Sequence, residues 1–352
     1  MSGARSAVYL DAQVLACPGP EAGFARFSDY VENLLSWRDL RDVNWIDIHI
    51  SRYASYALAS ADAYPPYADI QKAIVALGVV HLQARDLVQL INGFLTRSSI
   101  VEDCLGLDDI LFDSWHTEPE IRLEDRKPSL REHFMLLCVL MSLHREIEGT
   151  ITDQVLITTM SGTHTGSLST SATVVEMKKN SATIIPDTLA LPFTAACQFC
   201  LVRDLHSLYM NLEPCSVLAF GRGEVAFRRS MEIFVYQSQP RVRPYRSPID
   251  HRSFSVCPHF LESCRDLGFL TDAKKIRMLL RACSETVLGT NTRDTHWIRK
   301  SGGGNAEQLV TGDRAAWRRD VDAEFHLHYW VTPRGPRLAK LVAHNDYSIP
   351  NE

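Results

Sequence analysis

At 352 residues, with 45% hydrophobic and 22% charged side chains, the chain is too long for one small core and has the composition of a soluble globular protein. It contains no apolar run of about 18 residues, which argues against a membrane-spanning helix, and Asp11 interrupts the first apolar stretch, which argues against a signal peptide. The net charge of −5 hides an asymmetry: residues 1–150 carry 13 basic and 22 acidic side chains, residues 151–352 carry 24 and 20, so a polyanionic partner is expected to meet the C-terminal half.

In chain order, SAVYLDAQVL opens with a strand and FSDYVENLLSW follows as a helix with Ser28 as its N-cap. WIDIHIS alternates as a strand and runs directly into the helical pattern RYASYALASA. Beyond the break at Tyr64–Tyr67 come two more helices, the second with Leu87, Leu90, Ile91 and Phe94 as its apolar stripe. Asp103–Asp125 reads as an acidic connection, Pro128 introduces a helix apolar nearly all round, and QVLITT is a strand. This strand–helix alternation predicts an α/β domain over residues 1–160 with a mainly parallel sheet.

SGTHTGSLSTSAT, residues 161–173, reads as a loop at a domain boundary, and residues 174–352 as an α+β domain. Its expected parts are short strands at ATVVEM and ATIIP, a helix from Pro192 to Met210, and mixed strand signals over 217–256. A helical hairpin at 258–288 follows, turning at Gly268 with Thr271 as a cap, and a β-meander closes the chain at 315–349. The nine cysteines are odd in number and scattered in apolar runs, as expected of reduced thiols in an intracellular, cytoplasmic protein. Cys197 and Cys200 have the CxxC spacing of zinc and redox sites, but no second pair follows, and the pattern is read as part of a core helix.

Four groups of residues carry chemistry. Asp11 at the end of the first strand, with Asp103, Asp108, Asp109 and Asp113, offers the carboxylates that a Mg²⁺-dependent phosphodiesterase needs at strand ends. Over residues 6–160, YLDAQVL, WIDIHISRYASYAL and the buried helix before QVLITT resemble the PIN-like nuclease family. That resemblance implies a compact α/β fold that cleaves RNA or DNA with three or four acidic residues around the metal. Asp11 matches the first acidic position, Asp109, Asp113 and Glu132 are the further candidates, and Ser51 stands where an acid is wanted.

In the last 36 residues, His326, His328 and Trp330 share one strand face, with His344 and Asp346 on a neighbouring strand. Such imidazoles could share a metal or act on one phosphodiester, and they serve equally as the polar face of an ordinary sheet. With Arg318, Arg319 and Tyr347, these strands resemble the closing strands of RelE-like ribonuclease toxins, which implies metal-free RNA cleavage. The run FGRGEVAFRRSMEIFVYQSQPRVRPYR interleaves Arg222, Arg228, Arg229, Arg241 and Arg243 with aromatics, as single-strand binding requires. Lys274, Arg277 and Arg281 line one side of the second hairpin helix, suited either to a helix-turn-helix reader or to a solvated basic face. Together these predict a nucleic-acid-binding protein acting as a Mg²⁺-dependent nuclease of a defence or toxin-type system, with no membrane partner. The alternative is a non-catalytic subunit of a multi-protein antiviral-defence or toxin–antitoxin complex, built on a nuclease-like scaffold.

Overall fold

The computed structural model describes every residue except 1–4, 20–22, 43–45, 65–66, 77, 79–81, 160–165, 188, 222, 239–248, 251–252, 302–305 and 352. It divides into two compact units, Ala4–Asn211 and Leu212–Glu352.

The first unit is α/β. Its strands are β1 (Arg5–Leu10), β2 (Ile48–Ile50), β3 (Ser99–Ile100), β4 (Leu107–Glu118), β5 (Ile151–Ile157), β6 (Gly166–Lys179) and β7 (Phe193–Val202). They form one sheet in the order β3-β2-β1-β5-β7-β6-β4, parallel from β3 through β7 and antiparallel at β6 and β4. Ala7–Leu10 of β1 and Val155–Ile157 of β5 read as continuous apolar runs because both faces of these central strands are covered there. Its helices are α1 (Gly23–Asp42), α2 (Ala54–Ser60), α3 (Tyr67–Ala76), α4 (Ala84–Arg97), α5 (Val101–Leu105), α6 (Pro128–Glu148) and α7 (Leu205–Asn211).

Topology requires the sheet to curve. In a flat sheet, edge strands β3 and β4 would lie roughly 29 Å apart. Only α5 and Gly106 join them, a link that spans less than about 20 Å. Tyr53, just beyond β2, accordingly donates a hydrogen bond to Asp109 on β4 at 3.2 Å. The sheet wraps α6, whose Phe134, Leu137, Cys138, Leu140, Met141 and Leu143 expose no surface. At the turn into β4, Gly106 has φ +66°, and a Cβ there would collide with the Thr183 backbone.

Several elements differ from the sequence expectation. α1 begins at Gly23, so Ser28 lies inside the helix rather than at its cap. The acidic stretch from Asp103 holds α5 and the edge strand β4 instead of a simple connection. Residues 166–173, expected in a loop, form the first part of β6, where Leu168, Thr170 and Ala172 face the core between outward serines. ATIIP is not a strand. The helix expected over Pro192–Met210 is strand β7 followed by α7, with Ala195, Cys197, Phe199 and Leu201 inward. Cys197 and Cys200, three apart on a strand, therefore point to opposite faces and form no CxxC site. Because β6 and β7 extend the first sheet, the break between units falls at 211/212, beyond the 161–173 stretch.

The second unit contains α8 (Pro214–Phe220), α9 (Gly223–Ser238), α10 (Pro258–Asp266) and α11 (Ala273–Leu288). Its strands are β8 (Ser255–Val256), β9 (Thr295–Trp297), β10 (Val310–Thr311), β11 (Arg314–Asp320), β12 (Phe325–Thr332) and β13 (Gly335–Ala343). They form a mixed sheet in the order β10-β11-β12-β13-β8, with β9 also paired to β11. The strand signals of 217–256 resolve mainly into helices α8 and α9, and Phe227, Met231 and Val235 form a buried stripe at helical spacing. The hairpin turns at Gly268 (φ +77°), and Asp272 rather than Thr271 caps α11 by accepting from Lys275 N at 2.9 Å. Both faces of β12 are covered: Leu327 and Tyr329 join the cluster with the helices, while Trp330 packs with Ile298, Ala316 and Ala339 on the other side. Among the described residues, no helix is long and apolar enough to cross a membrane.

Candidate functional site

Asp11 follows β1 beside the switch point of the parallel sheet, where β1 leads to β2 on one side and its neighbour β5 leads to β6 on the other. Open α/β sheets bind ligands in the crevice at such points. Here the crevice is filled from within. Asp11 Oδ2 accepts from Arg126 Nη1 at 2.7 Å and from Thr158 Oγ1 at 2.6 Å, and Oδ1 accepts from Gln13 N at 3.2 Å. His133 Nδ1 lies 3.7 Å from Oδ1, and the Arg126 guanidinium stacks 4.5 Å over the Phe134 ring. Asp11 exposes no surface. Burial alone would raise its pKa, but Arg126, then His133 and Thr158, hold the carboxyl well below the usual carboxylate range.

The other acidic candidates do not join it. Glu132 is exposed on α6, and its neighbour His133, one helical step round, faces Asp11 instead. Asp109 and Asp113 are exposed on β4, where Asp109 accepts from Tyr53 and from the Ile110 amide. The second buried carboxylate at the sheet's C-terminal edge is Glu102, which the sequence reading passed over. Its oxygens accept from Ser51 Oγ at 2.6 Å and from Arg52 N at 3.0 Å. Ser51 thus follows β2 as this carboxylate's donor. Among the described residues, no group of three or more His, Cys, Asp or Glu is arranged to hold a metal ion. Mg²⁺ takes carboxylates in a near-octahedral shell and keeps several waters. Asp11, sealed and bonded to a guanidinium, does not fit that demand.

Several basic residues of the second unit are matched to acids nearby: Arg228 to Glu224 at 2.5 Å, Arg229 to Glu232 at 2.6 Å, Arg277 to Glu213 at 3.1 Å, and Lys300 to Glu307 at 2.8 Å. Arg319, only 2% exposed, bonds Glu285 at 2.8 Å on the helix side of the sheet. Lys274 and Arg281 stand exposed with Arg277 on α11. Arg222, Arg241 and Arg243 lie outside the described residues.

Arg318, adjacent to Arg319 on β11, points to the opposite face. Cross-strand register aligns it with His296 on β9, His328 on β12 and, beyond, Lys340 on β13. This face borders a cleft of about 960 Å³ lined by His296, Trp297, Arg299, Lys300, Arg318 and Tyr347. Trp297 and Tyr347 are 54% and 58% exposed, large values for side chains that prefer burial. The Arg318 guanidinium lies 5.7 Å from the Tyr347 ring centre. The run HWIRK, residues 296–300, carries the signal in plain sequence, as an aromatic pair followed closely by two basic residues at the end of β9. Comparison with protein-family models, curated proteins and solved structures finds no match to this chain.

The expected histidine face exists, but it is internal. His328 is fully buried, and its Nδ1 donates to Ser348 O at 2.8 Å. Burial pushes its pKa down to about 4, with the Ser348 carbonyl and Asp346 opposing. His326, also buried, stands between Asp320 (Nδ1 to Oδ1, 2.9 Å) and the exposed His344 (Nε2 to Nδ1, 2.9 Å). Its pKa is lowered chiefly by burial, against the pull of Asp320. His296 lies 4.0 Å from the second Asp320 oxygen, so Asp320 has two imidazoles beside it, and His344 joins them through His326. Asp346 instead accepts from Lys340 at 3.3 Å in the segment after β13.

Proposed function

We propose that this protein binds single-stranded nucleic acid in the cleft of the second unit, and that the first unit is a PIN-like scaffold in which Asp11 is structural. The observation that carries the reading is the exposure of Trp297 and Tyr347 beside Arg299, Lys300 and Arg318 in one cleft. Aromatic faces stack on bases of any sequence, and guanidinium and ammonium groups follow the phosphates. The Asp11–Arg126 pair supports the scaffold half, because a carboxylate sealed in this way offers no oxygen to a metal. Retention of labelled single strands on the wild-type chain, measured against Trp297→Ala, tests the reading. Equal retention by both would remove the cleft from consideration.

A second reading rests on the Asp320–His326–His344 series. With Asp320 beside His326 Nδ1, His326 Nε2 accepts from His344 Nδ1–H, which leaves His344 Nε2 as a general base. In a bound RNA it would take the 2′-hydroxyl proton. O2′ then attacks phosphorus and the bond to the 5′-oxygen breaks, the leaving oxygen taking a proton from solvent water, to give a 2′,3′-cyclic phosphate and a 5′-hydroxyl without a metal. Cleavage that persists in EDTA and disappears in His344→Gln supports this reading. Binding without cleavage removes it and leaves the first reading standing.

A further inference from the structure

The segment Asp346–Asn351 has no regular secondary structure, yet the sheet face holds it by side-chain donors aimed at its main chain. His328 Nδ1 donates to Ser348 O at 2.8 Å, Trp330 Nε1 to Pro350 O at 2.7 Å, and Arg314 Nη1 to Asn351 O at 2.7 Å. Lys340 Nζ reaches both Asp346 Oδ2 and Ser348 Oγ at 3.3 Å. Ile349 packs against the cluster of Ile298, Ala316, Trp330 and Ala339. His328 and Trp330 expose no surface, so two wholly buried donors are spent on the carbonyls of one irregular segment.

This segment also forms one side of the cleft, contributing Tyr347, Ser348, Ile349 and Asn351 to its lining. The stacking residue Tyr347 is thereby placed by hooks at its neighbours. Its own ring, beside Arg318, is 58% exposed. A segment anchored at a few points, without a strand ladder, opens locally far more readily than the sheet beneath it.

We infer that Asp346–Asn351 is a detachable wall of the nucleic-acid cleft, and that Arg314, Trp330 and His328 are positioning residues that complete the site by docking it. The inference rests on the nucleic-acid reading above. Ligand and segment are then coupled in both directions: a strand stacked on Tyr347 holds the segment down, and a loosened segment weakens the strand.

The test uses the full chain and a fluorescent single-stranded oligonucleotide, with binding followed by anisotropy and segment docking by hydrogen exchange over residues 346–351. Expected results are slower exchange of the segment when the oligonucleotide is added, and faster exchange with roughly three- to tenfold weaker binding in Arg314→Ala and in Ile349→Ala, as loss of one anchoring contact implies. Ile349 belongs to the segment rather than to the sheet, so its substitution loosens the wall while every strand residue is kept. Trp297→Ala should weaken binding while leaving exchange of the free protein unchanged, which separates loss of a ligand contact from loss of the wall. Binding by the wild type together with undiminished or tighter binding in both wall variants, once exchange shows the segment freed, overturns the inference alone. So does an oligonucleotide that binds without slowing exchange. Absence of saturable wild-type binding overturns the nucleic-acid reading and this inference with it.

Discussion

The Asp11 crevice and the β9–β11 cleft both collect charged residues, but they treat them oppositely. In the crevice a carboxylate is withdrawn from solvent and matched to one guanidinium, one hydroxyl and one imidazole of the same chain. In the cleft, basic and aromatic side chains stand at an open surface, and the buried polar groups behind them are used to place a chain segment. The lesson is that an aspartate at a strand end signals a strong electrostatic role without saying whether its partner is a metal or an internal cation. Breaking the crevice should therefore unfold the protein, whereas breaking the cleft should cost only binding.

The largest effect is expected at the crevice. Removing one partner of a buried ion pair leaves the other charge uncompensated, so Arg126→Ala or Asp11→Asn should each lower stability by about 3–5 kcal/mol, read by urea denaturation. A double variant Asp11→Asn, Arg126→Met should recover part of that loss, and additive losses would contradict the pairing. Because the folded-state pKa of Asp11 is depressed, its contribution is complete above the unfolded value of about 3.9 and declines as pH falls toward the lower folded value. Asp11→Asn should accordingly flatten the acid limb of the stability curve.

Next in size is Trp297→Ala, which should weaken single-strand binding by about 1–3 kcal/mol, the value of one stacked base, with an unchanged denaturation midpoint. Loss of stability in that variant would mean that the exposed indole is structural after all. A smaller effect concerns salt. Three cleft cations on phosphates give a slope of log K against log salt of about −2, and Arg318→Ala should reduce its magnitude by about 0.7. The smallest sharpens the account of His328. Its folded pKa of about 4 lies below the unfolded value of about 6.5, so its neutral form stabilises the fold fully above that value and less as pH falls toward 4. Nuclear magnetic resonance should show this imidazole neutral at pH 6, and a titration midpoint near 6.5 would contradict its burial.

Much of the fold was legible where periodicity and burial agree. Ile48–Ile50 within WIDIHIS, QVLITT as far as Ile157, the stripe of Leu87, Leu90, Ile91 and Phe94, and the apolar helix after Pro128 form as expected, although His49 is buried together with Ile48 and Ile50 rather than alternating with them. β7 was hidden because an apolar composition suggested a buried helix, although Ala195, Cys197, Phe199 and Leu201 keep a period of two. α9 was hidden for the opposite reason: Phe, Val, Ile and Tyr favour strands, yet tertiary packing of Phe227, Met231 and Val235 prevailed. Asp11 was visible as a strand-end acid, but its partners Arg126 and His133 lie more than a hundred residues away, and no local pattern links them. The histidines were legible as a shared face. That Ser348 and Pro350 cover this face was not, because an irregular segment held by side-chain donors has no period to read.

The most direct test of the account is photocrosslinking of a 4-thiouridine-containing single strand to the full-length protein, with adducts mapped by mass spectrometry. Adducts at Trp297 and Tyr347 that vanish at high salt are the predicted result. Adducts confined to residues 5–211, or none at a strand concentration that saturates binding, would contradict it.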